Sequence, residues 1–123
     1  MHLVDGKGGK GFRYDEGEDN VDILPDHKDI DGHGTHVSGI IAAVDNDNGT
    51  IGTAPKAKIY TLKLFTVHYR ELAEAINYAA NNLDAKIITM SVVVDDDYEV
   101  VENACDNAYA NGALLIAASG NNN

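Results

Sequence analysis

Apolar and polar positions follow no regular period up to about residue 32, and regular periods begin at His33. Three later segments carry apolar residues at helical spacing: Val37, Ile40, Ile41 and Val44; then Leu72, Ala75, Ile76 and Ala79; then Val101, Ala104, Cys105 and Ala108. Three apolar runs have the length and composition of strands: Lys58–Phe65, Ile87–Val93 and Ala113–Ala118. The pattern predicts a helix followed by strand, helix, strand, helix, strand, and Gly112 is placed to end the third helix.

Near-continuous apolar strands that alternate with helices are typical of a parallel sheet covered on both faces. We therefore predict an α/β fold of three layers, with a mainly parallel β-sheet and helices on both faces. The 123 residues suit a single domain. Within it, residues 1–32 form an acidic Gly/Asp-rich loop region with short extended pieces such as Val21–Leu24, and residues 33–123 form an α-β-α-β-α-β core.

Charge and composition exclude several classes of function. The chain has 20 acidic and 9 basic residues, a net charge of −11, which argues against binding a nucleic acid or an anionic membrane. The longest fully apolar run, Ala113–Ala118, is far shorter than a membrane span. Cys105 has no second cysteine to pair with, and the first residues show no apolar stretch of signal-peptide length. A cytoplasmic protein is the default prediction.

Three short motifs invite a chemical interpretation and are weak alone. Gly6-x-Gly8-x-x-Gly11 matches a dinucleotide fingerprint by letters, yet no amphipathic helix follows it, so a flexible loop is favoured. Asp45-x-Asp47-x-Gly49 does not fit the EF-hand spacing, which leaves a solvated turn or another kind of calcium site. His33 and His36 could bind zinc, provide a catalytic base, or simply begin a helix.

The longer string around these histidines decides between them. Asp31-Gly32-His33-Gly34-Thr35-His36-Val37-Ser38-Gly39-Ile40-Ile41-Ala42-Ala43 resembles the histidine motif of the subtilisin-like serine peptidases, closest to their intracellular branch. Further segments agree in order and spacing: Gly52–Tyr60 resembles the Gly-Val-Ala-Pro segment and its strand, Ile87–Ser91 the strand ending in a substrate-lining serine, and Ala117–Asn121 the segment with the oxyanion-hole asparagine.

The resemblance implies roles for individual residues. His33 corresponds to the general base of a serine endopeptidase, His36 to the motif's structural histidine, and Asn121 to the side-chain donor of the oxyanion hole. The loop 44–50 aligns with the family's calcium loop. This alignment implies a structural calcium ion held by the Val44 carbonyl, the Asn46 side chain, and the carbonyls of Asn48 and Thr50.

The chain also departs from the family pattern. No Gly-Thr-Ser-Met-Ala segment with the nucleophilic serine occurs in the 123 residues. Asp5 lacks the Ser or Thr that follows the family's catalytic aspartate, and it aligns better as a loop residue. Thr66–Arg70 stands where the family has a Gly-rich loop that pairs with substrate, and Val92–Val94 replaces a Leu-Gly-Gly segment where the backbone approaches substrate.

These observations lead to two functional hypotheses of different classes. A third possibility is a degenerate reading frame whose product folds but has no selected role. The chain is a portion of a subtilisin-like endopeptidase, inactive alone, that acts on peptide or protein substrate once a missing C-terminal half completes it. Alternatively it is a non-catalytic subtilase-like protein that acts by binding, as a partner or decoy. Uncovered strand edges and apolar helix faces also predict a homo-oligomer or a partner-bound state.

Overall fold

The computed structural model of the chain describes residues 2–3 and 9–121. Its elements follow in the order β1 (His2–Leu3), β2 (Lys10–Asp15), β3 (Asn20–Leu24), α1 (His33–Ala42), β4 (Lys58–Ile59), β5 (Leu62–Leu64), α2 (Tyr69–Asn81), β6 (Ile87–Met90), α3 (Glu99–Ala110) and β7 (Leu114–Ala117). From residue 33 onward, this is the predicted alternation of helix and strand.

The chain divides into two compact units. Unit 1 comprises residues 1–10 and 25–63, and unit 2 comprises residues 11–24 and 64–123.

Unit 1 contains α1 and a short parallel ladder. β1 pairs with β4 in parallel, with His2 opposite Lys58 and Leu3 opposite Ile59. The predicted strand Lys58–Phe65 is interrupted at Tyr60 and Thr61, where the ladder of β4 ends and β5 has not yet begun. Within this interruption, the Thr61 carbonyl still accepts a backbone hydrogen bond, from the Lys10 N–H at 3.1 Å.

Unit 2 begins with an antiparallel hairpin that the sequence pattern does not predict as such. β2 pairs with β3 from Gly11 opposite Leu24 to Asp15 opposite Asn20, so the loop prediction is wrong here, although β3 matches the predicted extended piece. The hairpin forms because the Phe12 ring is fully buried while the acidic side chains lie at the exposed turn. The Asp15 carboxylate closes that turn by accepting the N–H groups of Gly17 and Glu18.

The later half of unit 2 is a parallel pair of strands packed against two helices. β6 and β7 pair in parallel, with Ile87 opposite Leu114 and Thr89 opposite Ile116. One face of this pair is covered, since Ile88 is buried. The other face leaves Ile87, Leu114 and Ile116 exposed over 63%, 57% and 48% of their surface. Parallel pairing of β6 and β7 is thus as predicted.

Helices α2 and α3 pack closely because their facing residues are small. The predicted apolar face of α2 is buried, and Ala104 and Ala108 of α3 are buried against it. Beside these alanines, the Asn107 side-chain NH2 donates to the side-chain oxygens (Oδ1) of Asn77 and Asn81, at 2.9 and 3.1 Å. Alanine contacts let the helices approach, and the asparagine bridge fixes their register.

Gly112 ends α3, as predicted. Its φ of 87° lies in the left-handed region that favours glycine. The Gly112 N–H donates to the Tyr109 carbonyl, and the Ala113 N–H donates to the Ala108 carbonyl. These two bonds form a Schellman motif, which satisfies the last carbonyls of the helix and turns the chain into β7.

A buried carboxylate joins the hairpin to α2. The Glu71 side chain is inaccessible to solvent. Its Oε1 accepts the Tyr14 N–H at 3.0 Å and the Thr66 hydroxyl at 2.9 Å. Its Oε2 accepts the N–H groups of Thr66 at 3.0 Å and His68 at 3.3 Å. Four donors thus compensate the loss of hydration that burial of a carboxylate entails.

We expect Glu71→Gln to destabilise the protein by about 2 kcal/mol or more, because an amide NH2 replaces one acceptor and faces donors that are left unsatisfied. The change in shape is minimal, so the loss reports hydrogen bonding rather than packing. Chemical denaturation of the purified 123-residue chain measures the free energy of unfolding.

The matched control is Glu74→Gln, since Glu74 lies one turn further along α2 and is exposed. It should change stability by less than about 0.5 kcal/mol. Equal losses in the two variants would contradict the role given to Glu71.

Candidate functional site

His33, the predicted general base, is the first residue of α1. Gly32 precedes it as the N-cap with φ 91°, a left-handed conformation that glycine adopts without strain. His33 and His36 are both exposed. The His36 N–H donates to the Gly32 carbonyl at 3.0 Å, which is the first hydrogen bond of the helix. The motif therefore presents its imidazole to solvent at a helix start.

The carboxylate of Asp29 holds this helix start, since Gly32 has no side chain to cap it. Asp29 Oδ1 accepts the N–H groups of Asp31 and Gly32, at 3.1 and 2.9 Å. Asp29 Oδ2 accepts the Thr35 N–H at 2.8 Å and the Thr35 hydroxyl at 2.6 Å. Residues before and after His33 in the sequence are thereby hydrogen-bonded to the same Asp29 carboxylate.

These hydrogen bonds hold the pKa of Asp29 well below its usual range, with the Thr35 hydroxyl as the largest cause, followed by the Thr35 and Gly32 N–H groups. A lowered pKa means that folding favours the ionised carboxylate. Its contribution to stability is therefore present at neutral pH and is lost as acid protonates Asp29. Sequence reasoning missed Asp29, because it lies before the histidine motif and the usual N-cap rule considers only the side chain of the N-cap residue itself.

Asn121, the predicted oxyanion donor, lies in unit 2 just after β7. It is exposed and follows Gly120, whose φ is 84°. The Ala118 N–H donates to the Met90 carbonyl at 3.0 Å, so the ladder between β6 and β7 continues to the edge of this turn. His33 belongs to unit 1 and Asn121 to unit 2, and their catalytic roles stay predictions.

Val93 lies beside the turn that carries Asn121. A Cβ added at Gly120 would stand 3.6 Å from Val93 Cγ2, which puts the valine side chain in contact range of this glycine. Val93 is itself 51% exposed. Val93 therefore lies next to Gly120, and the crowding of substrate expected from Val92–Val94 stays a prediction.

The predicted calcium loop, residues 44–50, follows α1 in unit 1. Asn46, Asn48 and Thr50 are exposed and Val44 is half-buried. Asn46 Oδ1 accepts the Asn48 N–H at 3.3 Å, and both Asp47 and Gly49 have positive φ. The loop therefore winds tightly, and all four predicted ligands offer the hard oxygen atoms that calcium prefers, which fits the ion.

The chain after this loop returns along α1 and fixes both loop ends. The N–H groups of Gly52, Thr53 and Ala54 donate to the carbonyls of Ala43, Ile40 and Ile41. A Cβ at Gly52 would stand 2.5 Å from the backbone nitrogens of Ala42 and Ala43, so only glycine allows this approach.

The other motifs have the following outcomes. Gly11 lies in β2 and no helix follows it, so the dinucleotide fingerprint has no structural counterpart there. Asp5, Gly6 and Gly8 lie outside the described residues. Within residues 9–121, no three His, Cys, Asp or Glu side chains converge as a metal site, which gives the zinc alternative no support. No described helix is long and apolar enough to cross a membrane.

The profile of the subtilase (peptidase S8) family matches residues 8–123. The chain therefore belongs to the subtilase family of subtilisin-like serine proteases. This confirms the family resemblance read from the histidine motif.

Similarity to individual proteases agrees with this family assignment. The chain is 37% identical to the major intracellular serine protease of Bacillus subtilis (strain 168) over 93% of its own length and 36% of the relative's. It is 40% identical to the minor extracellular protease Epr of the same organism, over 82% of its own length and 16% of the relative's. Both an intracellular and an extracellular protease are thus similar to it, so the cytoplasmic location stays a prediction.

Solved structures confirm the fold class. Sphericase superposes with a TM-score of 0.79 and 26% identity, over 98% of this chain and 40% of that one. A psychrophilic protease, S41, superposes with a TM-score of 0.72 and 32% identity, over 94% of this chain and 40% of that one. The chain has a subtilisin-like α/β fold and spans less than half the length of these relatives.

Proposed function

We propose that this chain supplies the general base and the oxyanion donor of a subtilisin-like serine endopeptidase. The observation that carries the proposal is the exposed imidazole of His33 at the start of α1, held by the Asp29 cap in a chain of this family. His33 would take a proton from a nucleophilic serine and return it to the leaving amine, while the Asn121 amide would donate to the oxyanion. We also propose a cytoplasmic location, based on the unpaired Cys105.

The nucleophile of this mechanism has to come from sequence beyond these 123 residues. Ser91 follows β6 and Ser119 follows β7, and neither stands in the family's serine segment. The valines of Val92–Val94, which stand where the family has Leu-Gly-Gly, also argue against ordinary peptide hydrolysis by this chain. We therefore propose that the 123-residue chain does not hydrolyse peptide bonds on its own.

We expect no turnover of a chromogenic peptide substrate by the 123-residue chain above the level of its His33→Ala variant. In a protein that also carries the serine segment, Asn121→Ala should lower kcat by about 10²–10³-fold, the loss typical of one oxyanion donor. The assay is release of the chromophore under initial-rate conditions.

The control variant is His27→Ala, which removes a histidine outside the motif and should leave the rates unchanged. Turnover by the 123-residue chain that disappears with His33→Ala but survives His27→Ala would contradict the proposed inactivity.

We further propose that the loop 44–50 binds a structural calcium ion. The supporting observations are its oxygen-rich ligand set, its tight backbone and its ends, which are fixed against α1. Such an ion would stabilise the folded state and would take no part in proton transfer.

We expect added calcium at millimolar concentration to raise the melting temperature, since a ligand at about 100 times its Kd stabilises by about 2.7 kcal/mol. Asn46→Ala should abolish this rise because Asn46 is the one side chain among the four predicted ligands. Asn48→Ala is the matched control and should retain the rise, since only its carbonyl is a predicted ligand. An unchanged melting temperature in the parent chain would refute the site.

A second function, binding without catalysis, is favoured by the bare face of β6 and β7. The side chains of Ile87, Leu114 and Ile116 form an exposed apolar patch, and such patches mark interaction surfaces. We propose that this patch makes the chain self-associate or bind a partner.

We expect light scattering across a concentration series to give an average mass that rises above the 13.1 kDa of the monomer. Leu114→Lys should suppress that rise by placing a charge in the patch, whereas Glu102→Lys, on an exposed position of α3, should not. A monomer at every concentration would count against the patch as a self-association surface.

A further inference from the structure

The dipeptide Asn-Gly occurs twice in the chain, as Asn48-Gly49 and as Asn111-Gly112. An asparagine side chain before glycine is open to attack by the backbone nitrogen that follows it, because glycine has no Cβ to block the approach. The side chains of Asn48 and Asn111 are both exposed. Sequence and exposure therefore do not distinguish the two pairs, and a difference in reactivity has to come from their hydrogen bonds.

The pair Asn111-Gly112 is held by the end of α3. The Gly112 N–H donates to the Tyr109 carbonyl at 2.9 Å. Asn111 Nδ2 donates to the backbone carbonyl of Asn107 at 2.8 Å and to its side-chain oxygen (Oδ1) at 3.2 Å. Attack by the Gly112 nitrogen would require both the attacking amide and the Asn111 side chain to leave these partners. The hydrogen bonds that end the helix thus protect this pair.

The pair Asn48-Gly49 lies in the loop 44–50 and has no such restraint. Among the described residues, neither the Gly49 N–H nor the Asn48 side chain takes part in a hydrogen bond. The Asn48 N–H does donate to Asn46 Oδ1 at 3.3 Å, but that amide is not the attacking group. The space around Gly49 is open, since a Cβ built there would meet no heavy atom within 4 Å. Both reacting groups are therefore free to approach each other.

We propose that Asn48 is a site of spontaneous modification, at which the chain deamidates through a cyclic imide, whereas Asn111 is protected. The Gly49 nitrogen forms a bond to the Asn48 side-chain carbon (Cγ) and gives up its proton, which solvent passes to the departing amide nitrogen. The bond between Cγ and that nitrogen breaks, and ammonia leaves. Water then opens the imide at either carbonyl and leaves aspartate or isoaspartate. The net change is loss of ammonia and gain of water, so no oxidant or reductant is needed.

The modification alters a loop that is already acidic and is fixed at its end. Either product adds a negative charge to a loop that contains Asp45 and Asp47. Isoaspartate also adds one carbon to the main chain before Gly49, while the Gly52 N–H keeps the end of the loop bonded to the Ala43 carbonyl. The charge of this loop therefore changes as the protein ages. The proposal rests neither on calcium binding nor on the proposed catalytic function.

The test is peptide mapping of the purified 123-residue chain during incubation at physiological temperature and mildly alkaline pH. A chelator is present, so that calcium cannot restrain the loop. Mass spectrometry follows the mass gain of the peptide with Asn48 and of the peptide with Asn111, and fragmentation locates the converted residue. Conversion at Asn48 should be at least about tenfold faster, because Asn111 reacts only in the small fraction of molecules in which the end of α3 is open.

Two controls accompany this comparison. In denaturant the hydrogen bonds of α3 are lost, so Asn48 and Asn111 should convert at similar rates. Asn48→Gln should abolish conversion in its peptide, because glutamine would have to close a larger ring, and the melting temperature of this variant checks that it is folded.

Equal rates at the two sites in the folded chain would overturn the proposal, and so would an Asn48 peptide that keeps its mass while the denatured chain converts. A difference that persists in denaturant would also contradict it, since sequence neighbours rather than hydrogen bonds would then set the rates. None of these results depends on peptide hydrolysis, so the two proposals fail separately.

Discussion

The burial of the Glu71 carboxylate is the constraint on which unit 2 depends. A charged group without solvent contact is tolerated only when its hydrogen-bonding capacity is met, and here the donors come from two separate stretches of chain, at Tyr14 and at Thr66–His68. The hairpin strand, the loop at Thr66 and the first turn of α2 must therefore adopt their positions together. Apolar packing, such as the edge-on contact of Phe12 with Tyr78, then fills the space beneath this polar centre.

Local periodicity was enough to predict the helices, and it failed where a partner decides the structure. Leu72 and Ile76 identify α2 because a helix that covers a sheet must be apolar on one side. The hairpin could not be read from Gly- and Asp-rich sequence, since its strands are specified by one buried ring, Phe12, and by pairing across the turn. The helical face of α2 also concealed Glu71, which lies next to Leu72 and is as buried as its apolar neighbours.

The candidate site was predictable to the extent that it is local in sequence. The histidine motif contains its own helix start, because Gly32 supplies the left-handed turn and Thr35 the donors for Asp29. The same holds for the loop 44–50, which lies between the last turn of α1 and Gly52. A joint catalytic role of His33 and Asn121 could not be predicted locally, since the two residues are far apart in the chain and belong to different units. The sequence supports that role only through the family resemblance.

Two of the departures from the family fall largely in loops, while the elements that precede or carry the predicted catalytic groups are formed. His33 begins a capped helix and Asn121 follows a paired strand, so both are supported by regular backbone hydrogen bonds. Thr66–His68, just before α2, and Val92–Val94 instead lie in connections, where side chains can change without disturbing α1 or β7. Side chains in these connections can therefore differ from the family without altering the backbone at His33 or before Asn121. A sequence can lose the open groove of a peptidase and still keep the backbone that orients its histidine, which is why the motif alone identifies ancestry better than activity.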